Sequence, residues 1–456
     1  MNFIDQLIIL IFLFGIILFS IYQAQTNQKN NNQSYFLAGK NMHWIIAMLS
    51  IVATETSVIT FVGIPAISFT NHNWSILQLV LGFVLGRMVV SSFFISMYYK
   101  SGVVSIYQVI GDKFGAGIQK IASITFLITR IIADGIRFLA TASIVQIVTG
   151  WDLQLSILVI GIITIFYSSV GGLKTILWID GFQFFIYLSC GIVTIMYILM
   201  SYDLEASILI NKVTVFSEWF NFSNTNSFFI MLFGGAFISI GSHGVDYLMV
   251  QRVLSTKNIS SAKKAMLGSG IFVFVQFCIF LLVGSLILET GFSPSNSSNV
   301  FAEYIKDEIP IGLKGLMIAG ALSAAMSSLS SSINAMASST IIDILGHKSF
   351  DKSIKISIFW GVLLTGFCLL ADFDKGTPIV ILALQIASFT YGGLISLFIL
   401  SKLDVKFSSF SILSGYIGSM IILIIAYFYS VSFMYFISIS IICNFIIIYF
   451  VNFYYS

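Results

Sequence analysis

Residues 53–65 read Ala-Thr-Glu-Thr-Ser-Val-Ile-Thr-Phe-Val-Gly-Ile-Pro and lie inside an otherwise apolar block that covers residues 44–66. β-Branched and hydroxyl residues, an acid, and then Gly63 and Pro65 make a poor continuous helix. A helix that breaks at membrane depth frees backbone carbonyls, and these can bind a cation. The stretch therefore predicts a discontinuous membrane helix. The alternative is a kinked structural helix whose hydroxyl groups bond to its own backbone.

The composition of the chain supports a location within lipid. Of the 456 residues, 58% are hydrophobic and only 9% are charged, whereas charged residues make up roughly 25% of ordinary soluble domains. The long apolar blocks show no period-2 alternation, which argues against a membrane β-barrel. The predicted fold class is an all-α polytopic membrane protein.

Apolar blocks of about 18 or more residues predict thirteen membrane spans. Asp5 precedes the first block where a signal peptide would have basic residues, so this block is interpreted as a retained helix. No loop is long enough for a soluble module, and residues 1–456 are expected to form one membrane domain. The predicted spans are 5–22, 44–66, 76–98, 117–147, 153–170, 175–200, 228–250, 265–288, 312–346, 354–371, 377–401, 408–429 and 432–452.

The lysines and arginines predict the orientation of these spans. With the N-terminus outside, 15 of the 22 fall on the cytoplasmic side and four on the other, while Arg87, Arg130 and Arg137 lie within spans. Positive residues accumulate in cytoplasmic loops. We therefore expect a multi-pass protein of the cell membrane with an external N-terminus and a cytoplasmic C-terminus.

The ninth predicted span contains a face rich in hydroxyl groups. Residues 321–332 read Ala-Leu-Ser-Ala-Ala-Met-Ser-Ser-Leu-Ser-Ser-Ser. Positions 324, 327, 328 and 331 recur at i, i+3, i+4 and i+7, which places them on one face of a helix. Hydroxyl and carbonyl oxygens together can replace water around Na⁺. The alternative is that small side chains let a neighbouring helix approach closely.

Charged residues at membrane depth are costly and mark candidate ion or solute paths. Asp180 lies about one turn into the sixth predicted span, where it is a cation ligand or an interfacial residue favoured by the helix dipole. Arg130, Asp134 and Arg137 follow each other at i, i+4 and i+7. They form either an internal ion-pair ladder or a site at which one arginine holds the carboxylate of a solute.

Several motifs along the chain occur together: Tyr35-Phe36-Leu37-Ala38-Gly39-Lys40, residues 53–65, Gly171-Gly172-Leu173-Lys174, Trp178-Ile179-Asp180 with Gln183, Gln251-Arg252 and residues 324–331. Taken together, they resemble the sodium:solute symporter family, which includes sodium-coupled sugar, proline and sialic acid carriers. The resemblance implies two inverted five-helix repeats with discontinuous helices, of the amino-acid-transporter type, over residues 44–200 and 228–401. Residues 5–22 and 408–452 would then be peripheral helices.

The resemblance also implies two sets of sodium ligands. The common site of the family would use backbone carbonyls of Ala53, Thr56 and Ala324 with the hydroxyls of Ser327 and Ser328. The second site of sialic-acid carriers would map to Asp180, Ser327, Ser330 and Ser331. Glu55 stands where proline carriers have an acid and would tune the common site. One sodium ion per cycle, or two if both sets bind, is therefore expected.

For the solute, the resemblance implies candidates in several spans. Ser239 and Ser242 stand where sugar carriers have an Asn and a Tyr, so sugar specificity does not carry over. Arg130 and Arg137 lie near the carboxylate-binding arginine of sialic-acid carriers, and neither falls on that position without a shift. The solute-binding candidates are Ser57, Thr60, Gln78, Arg130, Arg137, Ser239, Ser242, His243 and Gln385.

The expected function is import of a small polar organic solute by symport with Na⁺ through alternating access. Proton coupling through Glu55 and Asp180 remains an alternative, as does a transporter-like membrane sensor. A membrane enzyme is disfavoured, because the spans show no metal-ligand spacing and no nucleophile–base pair. The expected partners are the solute and the lipid bilayer. No organic cofactor, nucleic acid or obligate protein partner is expected.

Overall fold

The computed structural model describes residues 2–26, 32–202, 204, 212–216, 218–346, 351–370 and 379–455. Within these residues the chain forms α-helices and no β-strand, with two isolated bridges at Met42–Thr256 and Asn73–Thr214. The first nine helices are α1 Phe3–Thr26, α2 Asn32–Leu37, α3 Trp44–Glu55, α4 Val58–Phe69, α5 Ile76–Val89, α6 Ile95–Ser101, α7 Tyr107–Phe114, α8 Ala116–Thr149 and α9 Leu153–Ser201. The others are α10 Phe228–Ile240, α11 Tyr247–Leu254, α12 Ile259–Glu289, α13 Val300–Asp307, α14 Leu313–Ser339, α15 Asp351–Leu370, α16 Ile379–Leu400, α17 Ser409–Phe428 and α18 Phe436–Tyr455.

Ten helical stretches among the described residues are long and apolar enough to cross a membrane, and α3 with α4 adds an eleventh as one bent span. The prediction of an all-α polytopic membrane protein is confirmed. The first residues of the predicted span 377–401 lie outside the described residues, as do Lys29, Lys348 and Lys375.

The predicted span 44–66 is broken in the structure. Helix α3 ends at Glu55, and Thr56 and Ser57 adopt extended backbone conformations before α4 begins. The amide of Thr56 still donates to the carbonyl oxygen of Val52 at 2.9 Å. The break therefore falls where hydroxyl residues and an acid interrupt the apolar sequence, and not at Pro65, which lies inside α4.

A second break, which the sequence did not predict, divides the span that begins with α10. A π-helical turn, Gly241–Val245, follows α10, and Asp246 then adopts an extended conformation. The carboxylate of Asp246 caps α11 by accepting from the amide of Leu248 at 3.0 Å. Gly241 allows the turn to lie against Tyr391, since a Cβ at this position would come within 2.5 Å of the tyrosine ring.

Two predicted spans, 153–170 and 175–200, are joined in the 49-residue helix α9. At about 1.5 Å per residue this helix is more than twice as long as a lipid core is thick. Gly172 interrupts it with φ 66° and ψ −174°, a conformation that only glycine adopts readily. The Tyr35 ring lies against this glycine and donates its hydroxyl to the carbonyl of Ser169 at 2.8 Å.

Helix α14 lies at the centre of the molecule. Of its most apolar 18-residue stretch, 89% is buried within the protein. The helix packs against α9, α8, α3 and α1. Its first turn is capped by Asp5 of α1, whose carboxylate accepts from the amides of Gly312 and Gly315 at 2.8 and 2.9 Å. A carboxylate is favourable at a helix N-terminus. Asp5 therefore fixes α1 to the start of the helix that carries the hydroxyl-rich face.

Replacing Gly172 by alanine should destabilise the protein. The new Cβ would lie 2.9 Å from the Tyr35 ring and 3.1 Å from its carbonyl oxygen, and alanine would be strained by about 2 kcal/mol or more in this backbone conformation. We expect a lower apparent Tm and a lower yield of monodisperse protein in detergent. The matched control is Gly366→Ala, which has open space around its Cβ within α15. Equal melting temperatures for the two variants would contradict the prediction.

Candidate cation and solute site

The hydroxyl-rich face of α14 lies against the break between α3 and α4. Ser327 donates its hydroxyl to the carbonyl oxygen of Ala53 at 3.0 Å, and Ser328 donates to that of Thr54 at 3.1 Å. Both hydroxyls also lie near the carbonyl oxygen of Ala324, at 3.3 and 3.4 Å. Four of the five residues predicted for the common sodium site therefore meet at one point.

The fifth residue, Thr56, lines a small void with three of the others. Its hydroxyl donates to the side-chain oxygen of Gln276 at 2.8 Å, and Gln276 donates in turn to the hydroxyl of Tyr187 at 3.3 Å. The void lies between α3, α9 and α14, and its walls are formed by Ala53, Thr56, Gln183, Phe184, Tyr187, Ser323, Ala324 and Ser327.

The oxygens that meet here belong to carbonyl and hydroxyl groups and carry no formal charge. A monovalent cation between α3 and α14 would take lone pairs from the carbonyl of Ala53 and from the hydroxyls of Ser327 and Ser328. The hydroxyl protons would then turn towards the carbonyl of Ala324, which both already reach. Hard neutral oxygens of this kind suit a hard cation. The arrangement therefore places on two neighbouring helices the type of ligand that Na⁺ prefers.

Asp180, predicted for the second sodium site, is paired with an arginine. One carboxylate oxygen lies 3.5 Å from a guanidinium nitrogen of Arg252 and accepts from Ser50 at 2.6 Å. Arg252 also donates to Ser331, and Ser331 donates to the carbonyl of Ser327 at 2.6 Å. Ser330 donates to the same carbonyl at 3.1 Å. The four predicted residues lie close together, but a guanidinium joins Asp180 to Ser331.

Glu55 is paired with Arg87. The sequence places Arg87 within a span but predicts no partner for it. The two side chains form a hydrogen-bonded ion pair, and Arg87 is fully buried while the Glu55 side chain is 20% exposed. Arg87 also contacts Ser269 at 3.1 Å and the Nε2 atom of His243 at 3.1 Å. The cluster therefore joins the broken ends of α3 and α10 to α5 and α12.

The predicted ladder on α8 exists and extends to other helices. Asp134 lies 3.3 Å from Arg130 and 3.6 Å from Arg137. Arg130 also lies 3.2 Å from Asp246, which accepts from the hydroxyl of Tyr391 at 2.7 Å. Arg130 is only 2% exposed, so its charge is balanced by these buried carboxylates and not by solvent. The partners Asp246 and Tyr391 could not be predicted, because they are far away in sequence.

Arg137 differs from Arg130 in its surroundings. Its side chain is 22% exposed, and its ion-pair partner among the described residues is Asp134. It lines a second void, which adjoins the cation site through Ser328. The residues around this void are Ser57, Asp134, Arg137, Phe138, Thr141, Ala325, Ser328 and Leu329.

Of the predicted solute-binding residues, the structure places Ser57 and Arg137 at this second void, and the others elsewhere. Ser239 donates to the carbonyl of Phe83 at 2.9 Å, and Gln78 donates to that of Ser75 at 3.1 Å. Ser242 bonds to the Nδ1 atom of His243 at 2.8 Å. Thr60 and Gln385 are half-buried on α4 and α16.

Sequence comparison identifies the family. A family model described as "SSF: Sodium:solute symporter family" matches residues 35–353, which is more than half of the chain. The chain belongs to the sodium:solute symporter family. Relatives that match the chain are sodium-coupled transporters by name. The matched region includes α3, α9 and α14, and therefore every helix that contributes to the cation site.

Several curated members of the sodium:solute symporter family are similar to the chain. Human sodium-coupled monocarboxylate transporter 2 is 26% identical over 405 residues, which is 83% of this chain and 64% of the relative. Mouse sodium-coupled monocarboxylate transporter 1 is 28% identical over 423 residues, which is 85% of this chain and 67% of the relative. The human sodium/iodide cotransporter is 26% identical over 334 residues, which is 69% of this chain and 51% of the relative. The chain thus spans between half and two thirds of these relatives.

Two solved structures share the fold. A Na⁺-coupled sialic acid symporter in a substrate-bound outward-open state matches with a TM-score of 0.85 and 22% identity, over 100% of this chain and 98% of that one. A nucleobase-cation-symport-1 family transporter in a closed conformation with bromovinylhydantoin matches with a TM-score of 0.62 and 13% identity, over 93% and 94%. At these identities the likeness concerns the fold alone.

The Asp180–Arg252 pair yields a test of its own. Asp180→Asn would leave a buried guanidinium without its counterion, a change that typically costs about 3–5 kcal/mol. We expect the apparent Tm to fall by a similar amount in K⁺ and in Na⁺ buffers, because the pair is internal. Ser50→Ala, which removes one donor to the same carboxylate, should have a smaller effect. A fall confined to Na⁺ buffer would instead make Asp180 a cation ligand.

Proposed function

We propose that the chain is a Na⁺-coupled symporter that imports a small organic anion by alternating access. The observation that carries the proposal is the contact between the two hydroxyls of α14, Ser327 and Ser328, and the carbonyls at the end of α3. These groups belong to two different helices, so a cation that binds both holds the helices together. Sodium is here a transported substrate.

We propose Na⁺ as the coupling ion in preference to H⁺. Glu55 is paired with Arg87 and Asp180 with Arg252. Protonating either carboxylate would leave a buried arginine uncompensated, and breaking a buried pair in this way costs several kcal/mol. The neutral oxygens around Ser327 and Ser328 carry no such penalty. One Na⁺ at the common site is the simplest stoichiometry; a second ion at Asp180 would require Arg252 to move away.

We propose the thirteen-span topology on the following count. To the ten long helices are added the bent pair α3–α4, a second crossing within α9 after Gly172, and the apolar helix Gln385–Leu400. The repeats 44–200 and 228–401 would then each begin with a broken helix, at Thr56 and at Asp246. The charge asymmetry of the loops supports an external N-terminus and a cytoplasmic C-terminus.

We propose an anion as the solute because of Arg137. This arginine lines the void beside the cation site and keeps part of its side chain exposed. A guanidinium binds a carboxylate through two parallel hydrogen bonds. The names of the curated relatives, monocarboxylate and iodide transporters, also refer to anions. Ser57 and Ser328 line the same void, and Ser328 would contact both the solute site and the sodium site.

The proposed cycle needs no chemical step. Na⁺ binding would stabilise the state in which α3 and α14 are held together and the solute site beside them is complete. Solute binding would then permit closure, and the low sodium concentration inside the cell would favour release. Coupling requires only that each ligand binds one state more tightly than the other.

The double variant Ser327→Ala/Ser328→Ala tests the sodium site. Loss of two ligand oxygens should weaken sodium binding by about tenfold or more, because each net hydrogen-bond-like contact contributes roughly 0.5–1.5 kcal/mol. The measurement is the rise in apparent Tm as Na⁺ replaces K⁺ at constant ionic strength. The control is Ser396→Ala, which removes a hydroxyl bonded within α16. An unchanged sodium response in the double variant would refute the assignment.

The pair Arg137→Gln and Arg130→Gln tests the solute site. Arg137→Gln should lower the uptake efficiency for a short-chain monocarboxylate by roughly 100-fold or more, because a charge-assisted bidentate contact is lost. It should leave the apparent Tm nearly unchanged. Arg130→Gln should instead lower the apparent Tm, because Asp134 and Asp246 lose their buried partner. The reverse pattern would show that Arg130 is the solute-binding arginine.

A further inference from the structure

The ion pair of Arg87 and Glu55 involves a residue that is adjacent in the chain to the cation site. Glu55 is the last residue of α3, two residues after Ala53 and one before Thr56. Arg87 comes from α5 and is fully buried. The pair therefore connects a helix without sodium ligands to the end of the helix that provides them.

The remaining contacts of Arg87 are with neutral groups. The Nε2 atom of His243 lies 3.1 Å from Arg87 and 3.5 Å from the carboxylate of Glu55. A guanidinium can only donate hydrogen bonds, so in its contact with Arg87 this nitrogen is the acceptor. His243 then carries its proton on Nδ1 and donates it to Ser242 at 2.8 Å. Ser269 accepts from Arg87 at 3.1 Å. The net charge of the cluster is therefore zero.

This charge balance matters for an ion bound by neutral oxygens. The carbonyl of Ala53 and the hydroxyls of Ser327 and Ser328 supply dipoles and no formal charge. An uncompensated charge at the end of α3 would then change the affinity strongly, because electrostatic interactions are weakly screened in a buried site. A free carboxylate at position 55 would attract Na⁺, and a free guanidinium at position 87 would repel it.

We propose that Arg87 sets the sodium affinity of the common site by cancelling the charge of Glu55. This inference rests on the proposed function, and it adds a residue outside the ligand set. Arg87 keeps the site weak enough to release Na⁺ on the side where sodium is scarce. A carboxylate without this partner would hold Na⁺ throughout the cycle and slow the return of the transporter.

A purely structural ion pair would behave differently from a charge-balancing one. If Arg87 and Glu55 only held α5 to α3, each single substitution would weaken the fold and lower the sodium affinity or leave it unchanged. Charge balancing instead predicts shifts of opposite sign. Glu55→Gln leaves a net positive charge beside the site, and Arg87→Gln leaves a net negative charge.

The experiment is a charge-neutralisation cycle on the full chain in detergent or proteoliposomes. Four variants are compared with the wild type: Glu55→Gln, Arg87→Gln, the double variant and Arg87→Lys. The sodium concentration for half-maximal thermal stabilisation is measured at constant ionic strength with K⁺ as the replacement ion. The buffer is held near pH 8, well above the usual pKa of histidine at about 6.5, so that His243 stays neutral.

We expect Glu55→Gln to raise the half-maximal sodium concentration by about tenfold or more, and Arg87→Gln to lower it by a similar factor. The double variant and Arg87→Lys should return to within about threefold of the wild type, because both restore the charge balance. If Arg87→Gln does not fold, the recovery of Glu55→Gln on adding Arg87→Gln still decides the question.

Three results would overturn the inference. If the wild type responds to Na⁺, the role of Arg87 alone is overturned in two cases. In the first, the half-maximal sodium concentration of every variant stays within about threefold of the wild type; in the second, both single variants shift it in the same direction. A wild-type protein that does not respond to Na⁺ would overturn the proposed function and this inference with it. The double variant separates charge from packing, because it contains the same shortened side chain at position 87 as Arg87→Gln but has no net charge there.

Discussion

The structure depends on how an interrupted membrane helix satisfies its backbone. In lipid, a backbone carbonyl without a partner costs several kcal/mol, so a break in a span must be compensated by other groups. The break after Glu55 leaves the carbonyls of Ala53 and Thr54 facing α14, and hydroxyls of α14 donate to both. The same oxygens that keep the break stable without an ion provide the ligands for one, so stability and cation binding have a single structural origin.

Buried charges organise the rest of the interior. Four arginines of the described helices are paired with carboxylates: Arg87 with Glu55, Arg252 with Asp180, Arg130 with Asp134 and Asp246, and Arg137 with Asp134. Such pairs add little net stability but are costly to break. They therefore restrict which helices can move apart during a cycle. Arg137 keeps an exposed fraction of its side chain beside a void, which sets it apart from the other three.

The sequence predicts much of the architecture and part of the site. Apolar blocks predict the helices, and the spacing of positions 324, 327 and 328 predicts the face that meets α3. The ladder on α8 follows from the i, i+4 spacing of Arg130 and Asp134. The sequence does not predict the pairs Arg87–Glu55 and Arg252–Asp180, because contacts between distant segments leave no periodic signal. It also misses the break at Asp246, where no proline marks the interruption.

The most direct test of the account is a cryo-EM structure of the protein in lipid nanodiscs, determined once in Na⁺ and once in K⁺. The account predicts density for an ion in the Na⁺ structure, in contact with the carbonyl of Ala53 and the hydroxyls of Ser327 and Ser328, whose protons then point to the carbonyl of Ala324. In K⁺ the two hydroxyls should instead donate to the carbonyls of α3. Identical hydrogen bonds in both structures, with no density between α3 and α14, would contradict it.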